Sequence, residues 1–164
     1  MSFEIKSTHG LSKKEQYESI LPQINSLIEG ESNFLVNITN ITSVIKYSFD
    51  NILWAGFYFI DKENQNELLI GPFQGRVPCT RIPIGNGVCG ASAERKETII
   101  VEDVGKFPGH IVCDSLSRSE IVVPVIKANK VIGVLDIDSE LLNNFDETDK
   151  KYLEKLIENI SHLF

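Results

Sequence analysis

The sequence predicts an α+β fold built on a mainly antiparallel sheet. Three observations lead there. Apolar residues recur at helical spacing near both ends of the chain, strand-length apolar runs fill the middle, and short polar turns join two pairs of those runs as hairpins. The first, second and C-terminal helices should then pack together on one face of the sheet. A loop-covered pocket is left for the other face.

The elements follow in order. Ser12-Lys-Lys-Glu15 reads as a capping box, because the serine hydroxyl and the glutamate carboxylate satisfy reciprocal backbone donors. Behind it Tyr17, Ile20, Leu21, Ile24, Leu27 and Ile28 form an apolar stripe that Gly30 ends. Pro22 predicts a kink in this helix or a later start. A second helix fits Asn33 to Tyr47, with Phe34, Ile38, Ile41 and Ile45 on one face. Leu53 to Ile60 and Glu67 to Ile70 are strands joined by a polar turn. Thr80 to Ile84 and Thr98 to Val101 are two more, with a short helix around Val88 to Glu94 between them. Glu102 to Ser119, punctuated by Gly105, Pro108 and Gly109, reads as one long loop, and such loops in compact domains are often functional. Glu120 to Ile126 and Val131 to Ile137 pair as a second hairpin. Asp146 caps a final helix carrying Tyr152, Leu153, Leu156, Ile157, Ile160 and Leu163. No repeat or linker interrupts this order, so residues 1–164 read as one domain.

Composition narrows the function. The 164 residues are 42% hydrophobic and 24% charged, the balance of a soluble globular protein. A formal net charge of −7 without clustered Lys and Arg argues against nucleic acid and anionic membrane as partners. No stretch approaches the length of about 20 apolar residues that a membrane helix needs. Met1 to Gly10 lacks a basic segment followed by an apolar run, so no secretory signal is read there. Three cysteines without a Cys-x-x-Cys pair suit a reducing compartment, and the cytoplasm is the expected location.

The candidate chemistry lies in the loop-rich half. Cys79, Cys89 and Cys113 sit in or beside turn-rich segments. A free cysteine is commonly just a small buried hydrophobe, but three within 35 residues weaken that reading. Cys89 lies in Gly85-Asn-Gly-Val-Cys-Gly90, where a helix start would stabilise a thiolate. Cys113 follows His110 by three residues, close enough for the imidazole to act as its base. Cys79, Cys89, Cys113 and His110 are also four zinc-capable side chains, although none of their spacings is the tight Cys-x2–4-Cys of structural zinc sites. Glu120 opens an apolar strand, and Asp136 and Asp138 close another. At i and i+2 the two aspartates share a strand face. Either they end the strand in solvent, or they crowd a pocket and raise one another's pKa toward that of a proton donor. Trp54 and Tyr58 share strand parity, and core packing is the simpler reading of both.

Together these residues resemble the free methionine-(R)-sulfoxide reductases, enzymes made of a single GAF domain that repair the oxidised amino acid. The matching segments are Trp54-Ala-Gly-Phe-Tyr58, Gly71-Pro-Phe-Gln-Gly75, Gly85-Asn-Gly-Val-Cys-Gly90, Phe107-Pro-Gly-His-Ile-Val-Cys-Asp114, Ser119-Glu-Ile-Val-Val-Pro124 and Gly133-Val-Leu-Asp-Ile-Asp-Ser139. The resemblance implies a GAF-like fold and reduction of free L-methionine-(R)-S-oxide. It implies Cys113 as nucleophile, Cys89 as the resolving thiol that forms the disulfide, and Cys79 as a secondary thiol. It also implies that Glu120, Asp136 and Asp138 hold the substrate ammonium and the sulfoxide oxygen, with Trp54 and Tyr58 flanking the methyl-sulfur end. Thioredoxin would recycle the disulfide, no metal, flavin or nucleotide would be bound, and a second copy of the chain is a further candidate partner. Two other functions fit the same residues: a ligand-sensing GAF module without catalysis, and a zinc-stabilised or thiol redox-sensing domain.

Overall fold

Ser12 and Glu15 close the expected capping box, and α1 runs from there over Lys13–Ile28. Pro22 lies inside it and does not delay its start. The computed structural model describes residues 4–164; Met1 to Phe3, part of the segment read for a secretory signal and of the 1–164 domain, lie outside the described residues. Asn33 caps α2 (Phe34–Ser48). The chain continues through β1 (Ile52–Ile60), β2 (Glu67–Gln74), β3 (Arg81–Pro83), α3 (Gly87–Arg95), β4 (Ile99–Val101), β5 (Ser119–Lys127), β6 (Lys130–Ser139) and α4 (Glu147–Asn159). The long segment before β5 contains only one 3-10 turn, Val104–Lys106. Its two ends are tied to the sheet region, Val104 N–H donating to Arg118 O and Arg118 N–H to Ser139 O.

Six strands form one sheet in the order β3-β2-β1-β6-β5-β4, every neighbouring pair antiparallel. Strand alternation then sorts the side chains. Ala55, Phe57, Ile121, Val123, Leu135 and Ile137 point to one face, where they pack with the stripes of α1, α2 and α4. Trp54, Tyr58, Val122 and Val134 point to the other, together with Val88 and Cys89 of α3. The three-helix layer and the opposite loop-covered face are those the sequence predicts.

One strand is longer than its sequence pattern. The strand read over Glu67 to Ile70 continues through Gly71-Pro72 to Gln74, opposite Ala55 of β1. A register shift between Gly56 and Tyr58 absorbs the irregularity. Beyond Leu69 no β3 partner is paired with β2, so the missing Pro72 N–H costs no ladder bond on that side.

Candidate active site

The sheet register assembles the floor of a cleft on the α3 face. Trp54 of β1 stands opposite Asp138 of β6, which stands opposite Glu120 of β5. One row further, Gly56 faces Asp136 and Asp136 faces Val122. Three acids and one indole therefore project from neighbouring strands into one space. Gly56 keeps that space open, since a Cβ there would meet the Trp54 ring at 2.3 Å and Phe73 Cβ at 2.5 Å. Around this floor the side chains close on a cavity of about 30 Å³, room for about one water.

The acids have no full cationic partner. Glu120 and Asp136 are each 6% exposed, and Oδ1 of Asp136 is buried with no hydrogen-bond partner. The nearest base to Glu120 is His110, whose Nε2 is 3.7 Å from Oε2. Burial first, and then mutual repulsion with Asp138, pushes both carboxyls well above the ordinary carboxylate range. Asp138 is raised less, to about 6: burial lifts it, while the Ser117 hydroxyl that donates to it and nearby His110 hold it down. Glu120 and Asp136 thus hold their protons more tightly than Asp138 does. Burial lowers the pKa of His110, and Cys113, held in a disulfide, carries no proton for it to take in this state.

The cysteines divide differently from the sequence expectation. Cys113 is bonded to Cys79, with Cα atoms 5.1 Å apart, and Cys89 is free and buried. The expected Cys89–Cys113 bridge is not the one present. The Tyr58 hydroxyl donates to Cys79 O at 2.9 Å, which ties the β2–β3 loop to β1 at the cleft. Cys89, on the first turn of α3, instead turns its Sγ toward Glu120 Oε1 at 3.9 Å. Nor is Cys89 a stabilised thiolate. A helix N-terminus contributes about 0.3–1 kcal/mol to an anion, whereas full burial shifts pKa values by up to about 3–5 units. Burial, followed by the charges of Asp136 and Glu120, raises this thiol well above its ordinary value.

The zinc set read from sequence does not assemble, because Cys79 and Cys113 are bonded to each other. A different trio, Cys89, Glu120 and Asp136, brings one donor atom each within 4.8 Å. Burial raises the pKa of all three, which works against the deprotonated donors that a metal needs.

Comparison with known proteins fits this geometry. Residues 43–164 match the GAF domain family. The chain is 54% identical to GAF domain-containing protein A of Dictyostelium discoideum over 89% of this chain and 90% of that one. It is 43% identical to the free methionine-R-sulfoxide reductase of Saccharomyces cerevisiae, over 96% of this chain and 90% of the yeast protein. This chain belongs to the free methionine-R-sulfoxide reductase family. Its fold superposes on the reductase of Neisseria meningitidis, solved in complex with its substrate, with a TM-score of 0.94 and 43% identity, covering 99% of this chain and 96% of that one.

Within this reductase fold the described residues bring together every side chain singled out from sequence: Trp54, Tyr58, Cys89, Cys113, Glu120, Asp136 and Asp138 all line the cleft, and Cys79 is bonded to Cys113 at its edge. Trp54 and Tyr58 also belong to the apolar core of that face, as the packing reading expects. Sequence reasoning passed over Ser117, Arg76 and Asp114, which also line the cleft. Asp114 next to a cysteine was the one available signal. Arg76 is placed there by Gly75, whose φ of +136° turns the chain under the Trp54 indole.

Proposed function

We propose how this chain, a thiol-dependent reductase of free L-methionine-(R)-S-oxide, carries out its reaction. Cys113 attacks the sulfoxide sulfur, Glu120 and Asp136 protonate the sulfoxide oxygen, and Cys79 closes the disulfide. Sulfoxide sulfur is a poor electrophile until its oxygen is protonated. As the S–O bond of the substrate is given up, methionine leaves and the oxygen ends on Cys113 as sulfenic acid. Cys79 then condenses with it, forming the S–S bond and releasing one water. The pKa gap between those two acids and Asp138 divides the labour: Asp138, the most readily ionised of the three, pairs with the substrate ammonium. Trp54 and Tyr58 flank the methyl-sulfur end. Cys89 lines the floor as a thiol.

The observation that carries this reading is the Cys79–Cys113 bridge at the edge of a cleft floored by buried acids. A module that only senses a ligand has no use for that pairing. Cys79 and Cys113 are half-buried, so an external dithiol such as thioredoxin can reach the bridge and reopen it by exchange. No bound cofactor enters the scheme. No helix among the described residues is long and apolar enough to cross a membrane, and the free thiol of Cys89 is consistent with a reducing cytoplasm.

The test is incubation of the reduced protein with free methionine sulfoxide and a dithiol, following methionine. The expected result is many turnovers with the R epimer and none with the S epimer. Tight binding of the R epimer without methionine release would instead establish the sensing module.

A further inference from the structure

The proposed substrate is a zwitterion, and the floor acids answer only its positive end. Its carboxylate must enter a cleft that Glu120, Asp136, Asp138 and Asp114 line. A carboxylate desolvated in such surroundings has to be met by a cation. Two basic side chains line the cleft, Arg76 and His110. His110 is turned to Glu120, and burial favours its neutral form. That leaves Arg76.

Arg76 is set up to take a second anion. Its Nη1 donates to Asp114 Oδ1 at 3.2 Å, and its side chain is 61% exposed. A guanidinium has five N–H donors, so one contact leaves a free edge of the kind that binds carboxylates through two parallel bonds. Asp114 is the complementary case. Its side chain is 11% exposed. Oδ1 accepts from Arg76 and from the Leu116 N–H, while Oδ2 is buried with no hydrogen-bond partner. A buried carboxylate oxygen without a donor is costly unless a ligand supplies one.

An α-amino acid carries its ammonium and carboxylate on one carbon, so its receptor needs an adjacent acceptor and cation. Arg76 and Asp114 are such a pair. The pair is also held to the reaction centre. Trp54 Nε1–H donates to Arg76 O at 3.1 Å, and Asp114 directly follows Cys113 in the chain.

We propose that Arg76 and Asp114 form the receptor for the amino-acid headgroup. Arg76 binds the substrate carboxylate, and Asp114 Oδ2, alongside Asp138, accepts from the ammonium. The proposal rests on the reductase reading and extends it: the site selects free α-amino acids by both charges, and a peptide is rejected at both ends.

The experiment measures kcat/KM with dithiothreitol as reductant for three substrates: free L-methionine-R-sulfoxide, its carboxamide and its N-acetyl derivative. Wild type should prefer the free amino acid to either derivative by roughly a hundredfold. Arg76→Gln should lose that factor on the free substrate, mainly through KM, and be unchanged on the carboxamide, with Arg76→Lys in between. Asp114→Asn should erode the preference over the N-acetyl derivative in the same way. Arg76 is exposed enough for its substitution to leave folding intact. An Arg76→Gln enzyme with the wild-type free-to-carboxamide ratio overturns the receptor, as does an equal loss on both substrates. A wild-type protein that reduces none of the three overturns the reductase reading instead.

Discussion

Two buried sets of carboxylates in this molecule have opposite surroundings. On the helical face, Asp149 is 3% exposed and fully partnered. Lys13 Nζ reaches its Oδ2 at 2.5 Å, the Asp146 N–H donates to the same oxygen at 2.8 Å, and the Tyr17 hydroxyl donates to Oδ1 at 2.8 Å. On the cleft face, Glu120 and Asp136 are almost as buried but meet a thiol, each other and a weakly placed histidine. A buried charge with its partners in place ties α1 to α4. Buried acids without them hold their protons more tightly and are poised for chemistry.

That contrast breaks if exchanging the acids has the same effect on both faces. The largest expected effect is on catalysis. Glu120→Gln keeps the shape of a neutral acid but removes its proton, so kcat should fall by about 10²–10⁴-fold. Chemical denaturation should find its stability unchanged or raised. Asp149→Ala should behave in the opposite way. It removes the α4 cap partner, leaves the Tyr17 hydroxyl without its acceptor and takes one of three acceptors from Lys13, costing about 2 kcal/mol. Its kcat per folded molecule should match wild type. An Asp149→Ala enzyme impaired in kcat at full folding would dissolve the distinction.

The pH dependence sharpens the same contrast. The folded-state pKa of Asp138 is raised from 3.8 to about 6, so the folded protein holds this proton more tightly than the unfolded chain. Its contribution to stability is fully present below about pH 4 and is lost as pH rises through about 6. The stability difference between wild type and Asp138→Asn should therefore shift against wild type between pH 4 and 7. Urea titrations across that range measure it, and a flat difference would mean that Asp138 is not desolvated.

Much of the site was legible in the sequence, for identifiable reasons. Alternation placed Asp136 and Asp138 on one strand face, and the register later set Glu120 and Trp54 beside Asp138. Parity is a local property, so it can be read from residues alone. The pairing of Cys113 with Cys79 is not local. It joins residues 34 apart and depends on how two loops meet over α3, and the nearer match in the chain, Cys89, is drawn inward by its helix. The continuation of β2 past Gly71-Pro72 was likewise invisible, because it is the unpaired outer edge of the strand that tolerates the proline. Arg76 carries no pattern of its own; only the turn at Gly75 brings it to the cleft.

The smallest expected effect concerns that loop pairing. Tyr58→Phe removes the hydroxyl that holds Cys79 O, a loss of about 1 kcal/mol. Methionine release in the first turnover should be close to wild type, while the sulfenic acid, trapped with a dimedone probe, should live longer. An unchanged lifetime would show that the bond does not position Cys79.

The division of the thiols is tested most directly by one mapping. Fully reduced protein is mixed with one equivalent of free L-methionine-R-sulfoxide without any reductant, quenched with an alkylating agent and digested. Mass spectrometry should find one equivalent of methionine, a Cys79–Cys113 disulfide and an alkylated Cys89. A dominant Cys89–Cys113 bridge would contradict the resolving role of Cys79, and methionine release with Cys113 alkylated would remove it as the nucleophile.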